Sequence, residues 1–206
     1  MNILEAYKQF NIPANLVFHQ LRVAAVANII CKGIANFTQT ELVTGACLLH
    51  DMGNLVKFRL DKEEDWMKPQ GLEFWKQSQR DFIDRFGPDD HEATISILSL
   101  LAVSQDVKDL VNLIGSKFQA PEELTDLSIM ICIHADQRVN PEGIVSLEER
   151  AKYLAIRYPK YADIDKFLPA RINLQSRIQG FTSVDVSAIS EQSAAQTIED
   201  LKLFEL

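Results

Sequence analysis

Four side chains able to ligate a cation stand out by type and spacing: His19, the adjacent pair His50-Asp51, and Asp136. Each occupies the polar position of an otherwise apolar helical repeat. Leu16, His19, Val23, Val26 and Ile30 recur at alternating steps of three and four, Val43, Ala46, Cys47 and Leu49 lead into His50 and Asp51, and Ile129, Cys132 and Ile133 lead into Asp136. Burying an unpaired carboxylate costs more than one domain's net stability, so an acid on such a face must be paired or bound to a cation. Two imidazoles and two carboxylates arriving from three helices make a mixed nitrogen and oxygen shell. That shell suits one divalent ion, among Mn²⁺, Fe²⁺, Co²⁺, Ni²⁺, Zn²⁺ and Mg²⁺, and octahedral geometry leaves two positions for water and substrate. Singly, each residue has a plainer role: a lone His on an apolar face is commonly a satisfied core residue, Asp51 suits a helix end, and Arg138 or Arg22 would pair Asp136.

The order His, His-Asp, Asp resembles the H…HD…D signature of the HD-domain metal-dependent phosphohydrolases, an all-helical superfamily. The resemblance spans about residues 12 to 158 and rests on the segment from His19 through Arg22, on Leu48-Leu49-His50-Asp51-Met52-Gly53 and on Ile133-His134-Ala135-Asp136. It implies a helical bundle of the HD type, His19, His50, Asp51 and Asp136 as metal ligands, and hydrolysis of a phosphate ester or anhydride. Two departures bear on subclass. Asn54 stands three residues after Asp51, where many members carry Lys and nucleotidase-like members carry Glu. The two-metal branch has additional histidines after the HD pair, for which this chain offers His91, so a single metal is implied. His91 is then either a substrate-side or proton-transfer group or a buried first-turn histidine.

Phosphoryl transfer needs donors for charge developing on the phosphoryl oxygens. Arg22, one turn after His19, and Lys57, six residues after Asp51, are the candidates, each with the alternative of a solvated surface charge. Asp51 serves as ligand and proton acceptor, whereas His134, two residues before Asp136, points to the other side of its helix and is not a ligand. Residues 54–87 mix Trp66, Phe74 and Trp75 with charges, so they either stack on a nucleotide base or pack the segment onto the core. The stretch 143–157, with Arg150 and Arg157, either closes over the site or braces the final helices.

The elements that must position these residues are helical throughout. Helices are predicted from Pro13 to about Gly33, from Thr40 to about Gly53 with Thr40 as cap, after Asp89 or Asp90 with His91, Ile95, Leu98 and Ala102 on one face, and from Gln105 to Ser116. Others run from about Pro121 to Pro141-Glu142-Gly143, from a Ser146…Glu149 capping box to Pro159, over about 162–178, and at the terminus through Ile198, Leu201 and Phe204. No alternation suggests a sheet. A domain over 1–180 with residues 181–206 as linker and docking helix follows, in a chain of 206 residues, 47% hydrophobic, with eight Gly and seven Pro.

Net charge of −8 and a pI near 5.0 disfavour non-specific nucleic-acid binding. Cys31, Cys47 and Cys132, far apart in apolar stretches without CxxC spacing, predict buried thiols in a reducing compartment. The polar N-terminus and the lack of an apolar run near 20 residues predict no membrane segment and a cytoplasmic protein, with a homodimer allowed. The expected function is a divalent-metal-dependent phosphohydrolase acting on a small phosphate ester, a nucleotide being the leading class. The alternative is a metal-binding regulatory or ligand-binding module with little turnover.

Overall fold

Local capping chemistry fixes most helix starts in the computed structural model, which describes residues 1–117 and 123–206. The helices are α1 (Ile3–Gln9), α2 (Ala14–Lys32), α3 (Thr40–Leu49), α4 (Leu72–Phe86), α5 (Asp90–Leu100), α6 (Gln105–Lys117), α7 (Leu127–Asp136), α8 (Leu147–Arg157), α9 (Ile164–Gln179) and α10 (Glu191–Leu201). Asp89 accepts from the Glu92 amide, Asp126 from Ser128 and Ile129, and Asp163 from Lys166, each satisfying a first-turn donor. Ser146 and Glu149 form the capping box that the sequence predicts for α8. Thr40 is not a cap: Gln39 holds that position without a side-chain bond, because its Oε1 is taken by the Ser128 hydroxyl. The predicted helix start at Pro121 lies outside the described residues, and α7 begins at Leu127.

The domain is all-α. The one sheet among the described residues is a hairpin, β1 (Val139–Asn140) against β2 (Gly143–Ile144), where the sequence predicts only that Pro141-Glu142-Gly143 ends a helix. Two residues per strand are too few to show alternation in the sequence. Asn140 Oδ1 closes the turn by accepting from the amides of Glu142 and Gly143 at 2.9 and 3.0 Å.

At the centre is α2, flanked by α3, α7 and α10. It is buried on more than the single predicted stripe: Leu21, Ala24, Ala25, Ala27 and Cys31 are as covered as Leu16, Val23, Val26 and Ile30. The same holds for α3 and α7, whose residues 43–49 and 130–135 are buried without a solvent face. Contrary to the expectation from apolar runs, α2 is long and apolar enough by composition to cross a membrane; here 61% of its apolar window is buried inside the fold. In α5 the covered positions are Ala93, Thr94, Ile97 and Leu98, while His91 and Ile95 are half-buried and Ala102 is exposed. The buried stripe is therefore rotated from the predicted one. All three cysteines are buried free thiols.

A buried cation ties the C-terminal segment to the core. Arg138 donates to the carbonyls of Val145 (2.6 Å), Val186 (2.6 Å), Ser187 (3.3 Å) and Ile189 (2.7 Å), so it is engaged by backbone and does not pair Asp136. From there the chain enters α10, which lies on α2, with Leu201 buried and Ile198 and Phe204 packed against the core.

Candidate metal centre

The apolar runs of α2, α3 and α7 bring the four singled-out residues to one place. His19 projects from the second turn of α2, His50 and Asp51 follow the last turn of α3, and Asp136 ends α7. His19 Nε2 lies 3.1 Å from Asp136 Oδ1 and 3.5 Å from Asp51 Oδ2. His50 Nε2 lies 3.6 Å from Asp51 Oδ2 and 3.8 Å from Asp136 Oδ1. Ligand atoms of His19, His50 and Asp51 fall within 4.8 Å of one another, close enough to share one ion.

His50 Nδ1 sits 2.8 Å from the Cys47 carbonyl oxygen. A carbonyl only accepts, so Nδ1 carries a proton and Nε2 is the nitrogen turned to the cluster. That Nε2 is buried and has no hydrogen-bond partner among the described residues. His19, His50 and Asp51 form a group that could hold a metal ion, with Asp136 beside it. Gln20, beside His19, receives the Asp51 amide at 3.3 Å and so ties α2 to the His50-Asp51 turn.

Electrostatics agree. Burial disfavours the charged form of His50, yet Asp51 and Asp136 more than offset it and raise its pKa to about 10. Burial likewise opposes ionisation of Asp136, but His19, His50 and Arg150 hold it well below the usual carboxylate range. Without a metal, the two acids recruit a proton as their counter-ion.

Gly53 keeps the turn after His50-Asp51 close to α5. A Cβ there would stand 2.2 Å from the Asp90 carbonyl oxygen and 2.6 Å from the Thr94 amide, both backbone atoms, and the Gly53 amide donates to Thr94 Oγ1 at 2.8 Å. Asn54 is buried in the 3₁₀ turn Asn54–Lys57 that follows.

The other sequence candidates lie in distinct settings. Arg22 is bound through Nε to both oxygens of Glu191 at 2.8 and 3.1 Å, a residue of α10. Lys57 Nζ is 2.6 Å from Asp90 Oδ2; burial lowers its pKa, but Asp51 and Asp90 outweigh that and raise it. His91 packs where a Cβ of Gly115 would be, with Nε2 2.9 Å from Asn112 Oδ1 on α6. His134 is buried with Nε2 unpartnered among the described residues, and burial with help from Arg138 pushes its pKa down to about 3. The 54–87 aromatics pack on one another: Trp66 lies 5.3 Å from Trp75 and 5.5 Å from Phe58, and Trp75 Nε1 donates to the Met67 carbonyl.

Arg150, which the sequence offered only within a bracing or closing stretch, stands at the cluster. Its Nη2 is 4.0 Å from Asp136 Oδ1. The hairpin after α7 turns α8 back toward the end of α7, and only the capping box at Ser146 hinted that a helix started there. Comparison with protein-family models, curated proteins and solved structures returned no match to the chain.

Proposed function

We propose that the chain is a divalent-metal-dependent phosphohydrolase of the HD type, cleaving a small phosphate ester. The observation that carries this is the His50 imidazole, with Nδ1 fixed on the Cys47 carbonyl and Nε2 buried, unpartnered and facing Asp51 and Asp136. His19, His50, Asp51 and Asp136 would hold the ion. When bound, it supplies Lewis acidity toward a phosphoryl oxygen and toward water.

The chain's own residues do the rest. The His19 and His50 nitrogens are neutral donors, so the two carboxylates balance the charge of a divalent ion and the site does not repel a phosphate. Asp51 meets both imidazoles through Oδ2, leaving Oδ1 to take the proton of the attacking water. As water adds to phosphorus the ester P–O bond breaks, the alcohol oxygen leaves with a proton, and inorganic phosphate is the second product.

A metal-holding module with little turnover is the second reading. It is favoured by Asn54 in place of a charged residue and by Arg22 and Lys57 being engaged with Glu191 and Asp90. One experiment separates them: phosphate release from nucleotides and sugar phosphates with Mn²⁺, Co²⁺, Ni²⁺ or Mg²⁺, with Asp51→Ala as the blank. Turnover by wild type that disappears in Asp51→Ala is expected. Stoichiometric metal with no turnover above the blank would overturn the hydrolase in favour of the module.

A further inference from the structure

The cations around the centre are not equivalent. Arg22 is neutralised by Glu191, Lys57 by Asp90, and Arg138 is spent on carbonyl oxygens. Arg150 differs: its side chain is only 13% exposed, its Nε is buried without a hydrogen-bond partner among the described residues, and its ion contact there is the 4.0 Å approach to Asp136, too long for a hydrogen bond. Once Asp136 and Asp51 serve a divalent cation, their two negative charges are accounted for. Arg150 is then left as a largely buried guanidinium with no counter-ion among the described residues, an unfavourable arrangement unless an anion arrives with the ligand.

We propose that Arg150 is the anion-recognition residue of this centre and that the anion it takes is the terminal phosphoryl group of a phosphate monoester. The inference rests on the metal-centre reading above. A guanidinium presents parallel N–H donors that match two phosphoryl oxygens, and a dianion held by Arg150 would balance its charge. The fold holds the group ready. Arg150 lies in the first turn of α8, pinned by the Ser146 and Glu149 capping box, and its guanidinium carbon lies 5.5 Å from the centre of the Tyr153 ring. A phosphodiester, with one charge and fewer free oxygens, matches this pairing less well.

The test uses the full chain loaded with Mn²⁺ and freed of excess metal, titrated calorimetrically with inorganic phosphate. Wild type is expected to bind phosphate and to gain thermal stability from it. Arg150→Gln is expected to keep its Mn²⁺ and lose phosphate affinity by at least about tenfold, with Arg150→Lys between the two, as loss of a paired charge-assisted contact implies. Equal phosphate affinity in wild type and Arg150→Gln would overturn the assignment, as would a Mn²⁺-loaded wild type that binds no phosphate. Should Arg150→Gln fail to fold, Arg150→Lys and the phosphate-induced stabilisation of wild type decide by the same criteria. A wild type that takes up no Mn²⁺ would overturn the metal reading itself, a failure read directly from metal content.

Discussion

The Cys47 carbonyl oxygen accepts from His50 Nδ1 at 2.8 Å, one turn back along the same helix. This contact sets the tautomer and the ring plane of His50 together and leaves Nε2 aimed at the carboxylates of Asp51 and Asp136. Its value lies in being made by backbone, which no substitution at Cys47 removes unless α3 itself unwinds.

His50→Ala should therefore abolish metal binding more completely than the ~10–100-fold loss typical when an outer partner of a ligand is removed. Metal content after dialysis against Mn²⁺ checks this, alongside Cys47→Ala, which keeps the carbonyl and should keep the metal. Full occupancy in His50→Ala would remove His50 from the ligand set.

Stability of the metal-free chain should depend on pH through two histidines of opposite sense. His50 has its pKa raised to about 10, so its contribution is complete below its unfolded value of about 6.5 and is lost as pH climbs toward 10. His134 has its pKa pushed down to about 3, so the unfolded chain binds a proton that the folded chain refuses, and stability is lost as pH falls from about 6.5. Asp136, held below the carboxylate range, adds a further loss below about pH 4. Thermal unfolding in chelator should show the highest Tm near pH 6.5; a Tm still rising between pH 7 and 9 would contradict this account.

Arg138→Ala should be among the costliest single changes in the protein. The guanidinium is buried and reaches the carbonyls of Val145, Val186, Ser187 and Ile189, and each acceptor left bare costs about 1–3 kcal/mol. Urea titration should show a loss of more than about 3 kcal/mol. Hydrogen exchange should quicken first in 186–201, because that segment is anchored through these bonds. A loss below 1 kcal/mol would mean that water replaces the guanidinium at little cost.

Much of this protein was legible in its residues. The alternating steps of three and four in 16–30 and the apolar runs ending at 51 and 136 required helices, and the caps at Asp89 and Ser146 marked where two others begin. Such signals are local, carried by hydrogen bonds and side-chain spacing within a turn or two. His19, His50, Asp51 and Asp136 could be singled out on the same basis, since a polar group on a buried face demands a partner.

Pairing was decided only by the tertiary structure, because partners come from elements far apart in sequence. Arg22 lies 169 residues from the Glu191 that neutralises it, Lys57 lies 33 from Asp90, and Arg138 turns to the backbone at 186–189 instead of to Asp136. A two-residue hairpin, too short to leave a periodic trace, returns α8 so that Arg150 stands beside Asp136. The sequence by itself determined which residues had to be satisfied inside the fold; the packing of α7 and α10 on α2, and of α8 on α9 and the hairpin, decided which charges satisfy one another and left Arg150 Nε without a partner among the described residues.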